Sequence, residues 1–169
     1  MGTRGIILLK ANDKTIGMYN HWDSYFEGLG DDVVNEINGI INKLDVLKYN
    51  LNNNVEILSD DIVNEPMQKE LAEKYKDFLG GKESKWGWVF SNLGANVITQ
   101  IANGVLTHMP NEIDFWNDAL FCEYAYMIDL DDMAFRVYTS GKDHVLSFAI
   151  NDIPKDWKRK CNKILGYDI

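Results

Sequence analysis

Cysteine is scarce in this chain: Cys122 and Cys161 are its only two among 169 residues. A secreted disulfide scaffold would carry more cysteines in a shorter chain, and two scattered cysteines are typical of small buried hydrophobic side chains. Neither a CxxC pair nor an HExxH sequence occurs, and the three histidines, His21, His108 and His144, lie far apart. We therefore expect no disulfide framework, no metal site and no cofactor.

Long apolar runs are also missing. No segment approaches the ~20 residues that a membrane-spanning helix needs. The first ten residues lack the apolar stretch and the small-residue cleavage site of a signal peptide. Ile6 stands where an N-myristoylation signal that begins at Gly2 has Ser or Thr. We therefore expect a cytoplasmic protein (in the host cytoplasm if a phage encodes it) with no membrane partner.

Basic residues are fewer than acidic ones. The chain has 17 Lys and Arg against 26 Asp and Glu, which gives a formal net charge of −9 at pH 7. An acidic surface repels phosphate backbones, so we expect no nucleic-acid polymer as a partner. An acidic inhibitor that binds another protein remains compatible with this charge, and homo-oligomerisation stays open.

Apolar residues make up 46% of the chain, which is globular composition and predicts a single domain over residues 1–169. Residues 4–10 and 15–19 are strand-like on either side of the turn-like 11–14, and together they predict a β-hairpin. The spacing of the apolar residues then becomes helical. Helices are predicted at 31–47, 66–79 and 92–105, with a short strand or extended loop at 55–58.

From residue 121 the apolar period changes to two. Residues 121–129, 133–139 and 144–150 predict a three-stranded meander, and Pro154 opens a short C-terminal helix. The order of strands, helices and strands predicts an α+β fold. Its mainly antiparallel sheet would combine the N-terminal hairpin with the meander and pack against several central helices.

One segment, Asn20, His21, Trp22, Asp23, Ser24 and Tyr25, resembles a ligand site. These six polar or aromatic side chains stand consecutively between a predicted strand and a helix, where ligand-binding groups often lie. Arg4, on the adjacent strand, can bind a carboxylate or phosphate bidentately or pair with Asp23. The structural alternative is a capped loop in which Asp23 and Ser24 bond the local backbone.

The sequence motif TRG…YNHWDSY…GLG, which spans Thr3 to Gly30, resembles that of a family of largely uncharacterised phage and bacterial proteins. The pattern has a proline after the tyrosine, whereas this chain has Phe26, so the geometry of the local turn is not carried over. By analogy with compact phage proteins, the resemblance implies a sponge that sequesters a nucleotide-derived signal of host defence.

The favoured hypothesis is a small-ligand binding protein with a nucleotide-type ligand at Arg4 and residues 20–25. The main alternative is a nucleotide hydrolase that uses His21 and Asp23 as acid–base groups. The carboxylate oxygens of Asp129, Asp131 and Asp132 suit a divalent cation. These residues fall at a predicted turn, however, where Asp is favoured anyway. No catalytic residue is assigned.

Overall fold

The computed structural model describes residues 2–59, 63–81 and 85–167. The strands are β1 (Gly5–Ala11), β2 (Lys14–Asn20), β3 (Glu56–Leu58), β4 (His108–Pro110), β5 (Tyr124–Asp129), β6 (Ala134–Thr139) and β7 (Asp143–Ala149). The helices are α1 (Asp31–Gly39), α2 (Leu44–Asn53), α3 (Glu65–Lys74), α4 (Gly87–Leu93), α5 (Val97–Ala102) and α6 (Trp157–Leu165). The predicted α+β class is confirmed. None of the described helices has the length and apolar character needed to cross a membrane.

The main sheet has five strands in the order β2-β1-β5-β6-β7. Three of the four strand pairings in this sheet are antiparallel, whereas β1 and β5 run parallel. A parallel pair needs a long crossover, and the segment between β2 and β5 supplies it with helices α1 to α5. The sequence analysis does not anticipate this parallel pair. A second, two-stranded sheet pairs β3 with β4 in parallel.

Both faces of β1 are covered, because a separate apolar cluster packs against each of them. Ile7 and Leu9 belong to the large core that packs against the helices. Ile6 and Leu8 point to the opposite face and pack in a smaller cluster with Cys122, Ala125 and Met127. A strand buried on both faces reads as a continuous apolar run, which explains why this segment shows no alternation.

Two predicted helices differ from the structure. The predicted helix at 31–47 is interrupted at Ile40, where φ is −116° and ψ is 22°, and a short 3-10 turn over Ile41–Lys43 leads into α2. The predicted helix at 92–105 covers only the end of α4, a 3-10 turn over Gly94–Asn96 and α5, and α4 ends at Gly94, whose φ of 52° lies outside the helical region. Glycine tolerates that conformation at little cost, so it ends α4 there.

Candidate functional site

The predicted cluster lies in the loop that joins β2 to the turn Phe26–Gly30 at the start of α1. At its centre, Ser24 is completely buried. Its backbone N–H donates to the carbonyl of Thr3 (3.1 Å), and its carbonyl accepts from the hydroxyl of Tyr126 (2.7 Å). Ser24 thus ties the loop to the N-terminal segment and to the middle of the sheet.

The side chains of Asn20 and Ser24 bond each other inside this loop. Asn20 Nδ2 donates to Ser24 Oγ (2.8 Å) and to the carbonyl of Trp22 (2.6 Å), while Ser24 Oγ donates to the carbonyl of Asn20 (3.4 Å). These bonds use the amide nitrogen of Asn20 and the hydroxyl of Ser24. We infer that Asn20 and Ser24 fix the loop, and that any ligand contacts fall to their neighbours.

The glycines of the motif allow close backbone approaches around the same loop. A Cβ at Gly5 would lie 2.7 Å from Ser24 Cβ, and a Cβ at Gly28 would lie 2.0 Å from the carbonyl oxygen of Asp23. That carbonyl accepts the N–H of Leu29 (2.8 Å). The close packing of the loop therefore explains why these positions need glycine, without an anion at the helix N-terminus.

His21, Trp22, Asp23 and Tyr25 are exposed, Trp22 to 63%. Nδ1 of His21 lies 2.6 Å from the hydroxyl of Tyr19, and the His21 ring meets Trp22 edge-on at 4.5 Å. Burial raises the pKa of Tyr19, which the nearby Arg4 opposes and Glu112 reinforces, so its hydroxyl stays protonated and can donate to His21. His21 and Trp22 are thus exposed but held in position.

Arg4 is the cationic group next to this surface. Its guanidinium lies 5.3 Å from the centre of the Phe121 ring, at cation–π distance. Its backbone is fixed on both sides by Glu123, since Arg4 N–H donates to Oε2 (2.9 Å) and the Glu123 N–H donates to the Arg4 carbonyl (3.1 Å). Within the described ranges the guanidinium has no carboxylate partner at ion-pair distance, and the Arg4–Asp23 pair that the sequence allows is not formed.

The aspartates at the β5–β6 turn act structurally. Asp129 Oδ1 accepts the N–H groups of Asp131 and Asp132 (3.0 and 2.9 Å), as the turn interpretation predicts. Asp131 accepts the N–H groups of Asn12 and Asp13 (2.7 and 2.9 Å), which ties this turn to the β1–β2 turn. Those bonds hold the pKa of Asp131 below its usual value. Among the described residues, no group of three or more His, Cys, Asp and Glu side chains is placed to hold a metal ion.

His108, in the small sheet, has polar partners that the sequence does not predict. His108 Nδ1 lies 2.6 Å from the hydroxyl of Tyr75, and Nε2 lies 3.6 Å from Glu56 on the paired strand. Burial lowers the pKa of His108, and Lys74 adds to this effect while Glu56 opposes it. Glu56 lies in β3, and Lys74 and Tyr75 lie at the end of α3, so no local pattern around His108 could reveal these partners.

The two cysteines are buried and free. Burial raises the pKa of Cys122 to about 11, with Asp118 adding to the shift, and raises that of Cys161 to about 12. Neither thiol is a thiolate near neutral pH, so neither is suited to nucleophilic chemistry.

Comparison of the chain with protein-family models, with curated proteins and with solved structures finds no match.

Proposed function

We propose that this protein binds a small nucleotide-type anion without turning it over, on the surface formed by Arg4, His21, Trp22, Asp23 and Tyr25. The observation that carries the proposal is the Arg4 guanidinium, held over the Phe121 ring and without an ion pair in the described part of the chain. A fixed cationic fork of this kind suits a phosphate or carboxylate.

The groups around Arg4 fit the rest of such a ligand. Arg4 is near enough to Tyr19 to oppose the rise that burial causes in the pKa of its hydroxyl, and that hydroxyl bonds His21, so the cation and the histidine belong to one region. Trp22, 63% exposed, offers a flat face on which a base can stack. The net charge of −9 favours a compact ligand over a polymer, because positive charge is available only locally.

Binding without turnover is favoured over hydrolysis by the contacts of His21. The hydrolase alternative uses His21 and Asp23 as acid–base groups, each of which must reach the substrate proton that it transfers. Here the recorded partner of Nδ1 is the hydroxyl of Tyr19. No hydrogen bond joins His21 to Asp23 within the described ranges, so Asp23 does not orient the His21 ring in this structure. A role as a sponge for a host defence signal rests on the motif resemblance.

The test is a thermal-shift screen against cyclic dinucleotides and cyclic ADP-ribose. Each bound compound is then released by heat and identified by mass spectrometry. A binding protein returns the compound intact, whereas a hydrolase returns products. If none of these compounds raises the melting temperature, the nucleotide-type ligand is refuted and the acidic protein-binding inhibitor becomes the leading alternative.

Arginine variants test the assignment of the site. Arg4→Lys keeps the charge but loses the bidentate geometry, and we expect it to weaken binding about tenfold, since a charge-assisted hydrogen bond contributes ~1.5–3 kcal/mol. Arg159→Lys, on the exposed face of α6, is the matched control and should leave binding unchanged. Unchanged binding in Arg4→Ala would show that the ligand lies elsewhere.

A further inference from the structure

The side chains of Ser147 and His144 share a short hydrogen bond on β7. Ser147 Oγ lies 2.7 Å from His144 Nε2, and Arg136 Nη1, on the paired strand β6, donates to the same Oγ (3.0 Å). A guanidinium can only donate, so the hydroxyl hydrogen of Ser147 remains to donate to Nε2 when a neutral imidazole carries its own hydrogen on Nδ1. A serine hydroxyl bonded to a histidine nitrogen in this way has the arrangement of a nucleophile and its base.

A β-bulge brings these two residues together. His144 and Ser147 are three positions apart, and side chains at that spacing point to opposite faces of a regular strand. The register of β7 skips Val145, since His144 pairs with Tyr138 while Leu146 pairs with the residue directly before Tyr138. The extra residue turns His144 onto the face of Ser147. Bulges of this kind are frequent next to active sites, where they redirect a side chain.

The pair lies on the face of the sheet that is turned away from the helices. Ser147 pairs with Arg136, and Arg136 pairs with Met127 of the smaller apolar cluster on that face. His144 is exposed and Ser147 is half-buried, so the bond between them lies at the surface. A small molecule can therefore approach it from solvent.

Neighbouring groups hold the pair in place. The His144 ring packs against Tyr138, with 5.4 Å between the ring centres. Arg136 is held by two carboxylates, since Nη2 donates to Asp132 (2.8 Å) and Nε donates to Asp129 (3.3 Å). The guanidinium is thus fixed with one N–H directed at the serine oxygen, where a donor stabilises the negative charge that develops during nucleophilic attack.

We propose that Ser147 is a nucleophile, that His144 is its general base, and that together they cleave small activated esters. This activity is separate from the Arg4 surface, because β5 and β6 lie between β1 and β7 in the sheet. An exposed pair gains little binding energy from the rest of a substrate, so the ester itself must carry a good leaving group, such as a phenolate.

The reaction passes through an acyl-serine. Ser147 Oγ attacks the carbonyl carbon of the ester while its proton passes to His144 Nε2. The bond between that carbon and the leaving oxygen then breaks, and His144 returns the proton to the leaving oxygen. Water next attacks the acyl-serine with His144 as base, which releases the carboxylic acid and restores the Ser147 hydroxyl.

The experiment treats the protein with diisopropyl fluorophosphate and locates the label by mass spectrometry of its peptides. The new bond from Ser147 Oγ to phosphorus replaces the P–F bond, fluoride leaves, and the hydroxyl proton passes to His144. We expect the label on Ser147. We also expect the unlabelled protein to release p-nitrophenol from p-nitrophenyl acetate, and labelling to abolish this release.

Three variants separate the two roles from a general effect on the fold. His144→Gln removes the base but keeps a side chain that can bond Ser147, and it should slow labelling about 100-fold, since general-base catalysis contributes ~10²–10⁴. Ser147→Ala should abolish the release of p-nitrophenol. Ser91→Ala, on the exposed face of α4, is the matched serine control and should leave both rates unchanged.

Three results would overturn the proposal. They are a label found only at other residues, equal labelling rates for His144→Gln and the unmodified protein, and undiminished release of p-nitrophenol by Ser147→Ala. If Ser147→Ala does not fold, the position of the label on the unmodified protein and the rate of His144→Gln still decide. Nucleotide binding at the Arg4 surface is measured separately, so its failure would not affect this outcome.

Discussion

Replacing Ser24 with alanine tests whether the polar loop divides into a structural half and a binding half. Ser24→Ala removes the acceptor of the Asn20 Nδ2 bond (2.8 Å) and the donor of the bond to the Asn20 carbonyl (3.4 Å). Asn20 Nδ2 keeps its bond to the carbonyl of Trp22 (2.6 Å), and its second N–H, which loses Ser24 Oγ, can bond water because Asn20 is only half-buried. The loss is therefore two ordinary hydrogen bonds, about 1–2 kcal/mol in the free energy of unfolding.

The expected change in melting temperature follows from the size of the domain. A loss of 1 kcal/mol lowers the melting temperature of a domain of this length by roughly 2–4 °C, so Ser24→Ala should melt about 2–8 °C lower. Circular dichroism during heating measures the shift, and urea unfolding gives the free energy. The control is Ser91→Ala on the exposed face of α4, which should stay within about 0.5 kcal/mol of the unmodified protein.

Variants of the exposed loop residues His21 and Asp23 should instead lose binding and keep their stability. His21→Ala removes an exposed side chain, and Asp23→Asn removes a charge while keeping a residue that tolerates the φ of 53° at this position. Both should keep the melting temperature within a few degrees and lose binding at the Arg4 surface. The division is refuted if Ser24→Ala melts no lower than Ser91→Ala, or if His21→Ala destabilises the domain as much as Ser24→Ala.

Three further predictions concern the fold itself. Gly5→Ala should cost about 1–3 kcal/mol, because its Cβ would lie 2.7 Å from the nearest atoms, whereas Gly39→Ala, with no atom within 4 Å, should be neutral or stabilising in urea unfolding. Because the folded-state pKa of His108 is depressed below 6.5, stability should fall as the pH drops below that value, and His108→Gln should flatten this slope of melting temperature against pH. Cys122 and Cys161 should resist iodoacetamide at neutral pH until the chain is unfolded, as mass spectrometry would show.

The fold class could be predicted because local sequence and tertiary structure agree over most of the chain. Asn12 and Asp13, in the predicted turn, both have positive φ (52° and 60°), which Asn and Asp tolerate better than most residues. The helix ends were harder to predict. Ile40 carries an apolar side chain at helical spacing and is buried, so periodicity alone cannot show that the backbone leaves the helix there.

The sequence could predict which segment holds the candidate site but not which of its side chains face solvent, because residue type does not determine the direction of a side chain. Asn20 and His21 are adjacent, and either can bind a ligand or stabilise a loop. In the folded chain Asn20 turns inward to Ser24, whereas His21 stays exposed against Tyr19. That difference depends on the path of the loop after β2, and Tyr126, more than a hundred residues away, helps to fix this path through its bond to the Ser24 carbonyl.

The hydrogen bonding of Trp86 is a feature that the sequence pattern does not predict. An aromatic residue in a globular chain is most often part of the core, and Trp86 is indeed buried. The two residues Trp86 and Trp116 differ in the bonding of the indole N–H. In Trp116 it donates to the Gly141 carbonyl, whereas in Trp86 it has no acceptor among the described residues. Hydrophobic patterning accounts for the burial of both rings but not for this difference. The difference depends on which backbone carbonyl each indole meets in the folded chain, and the sequence pattern does not carry that information.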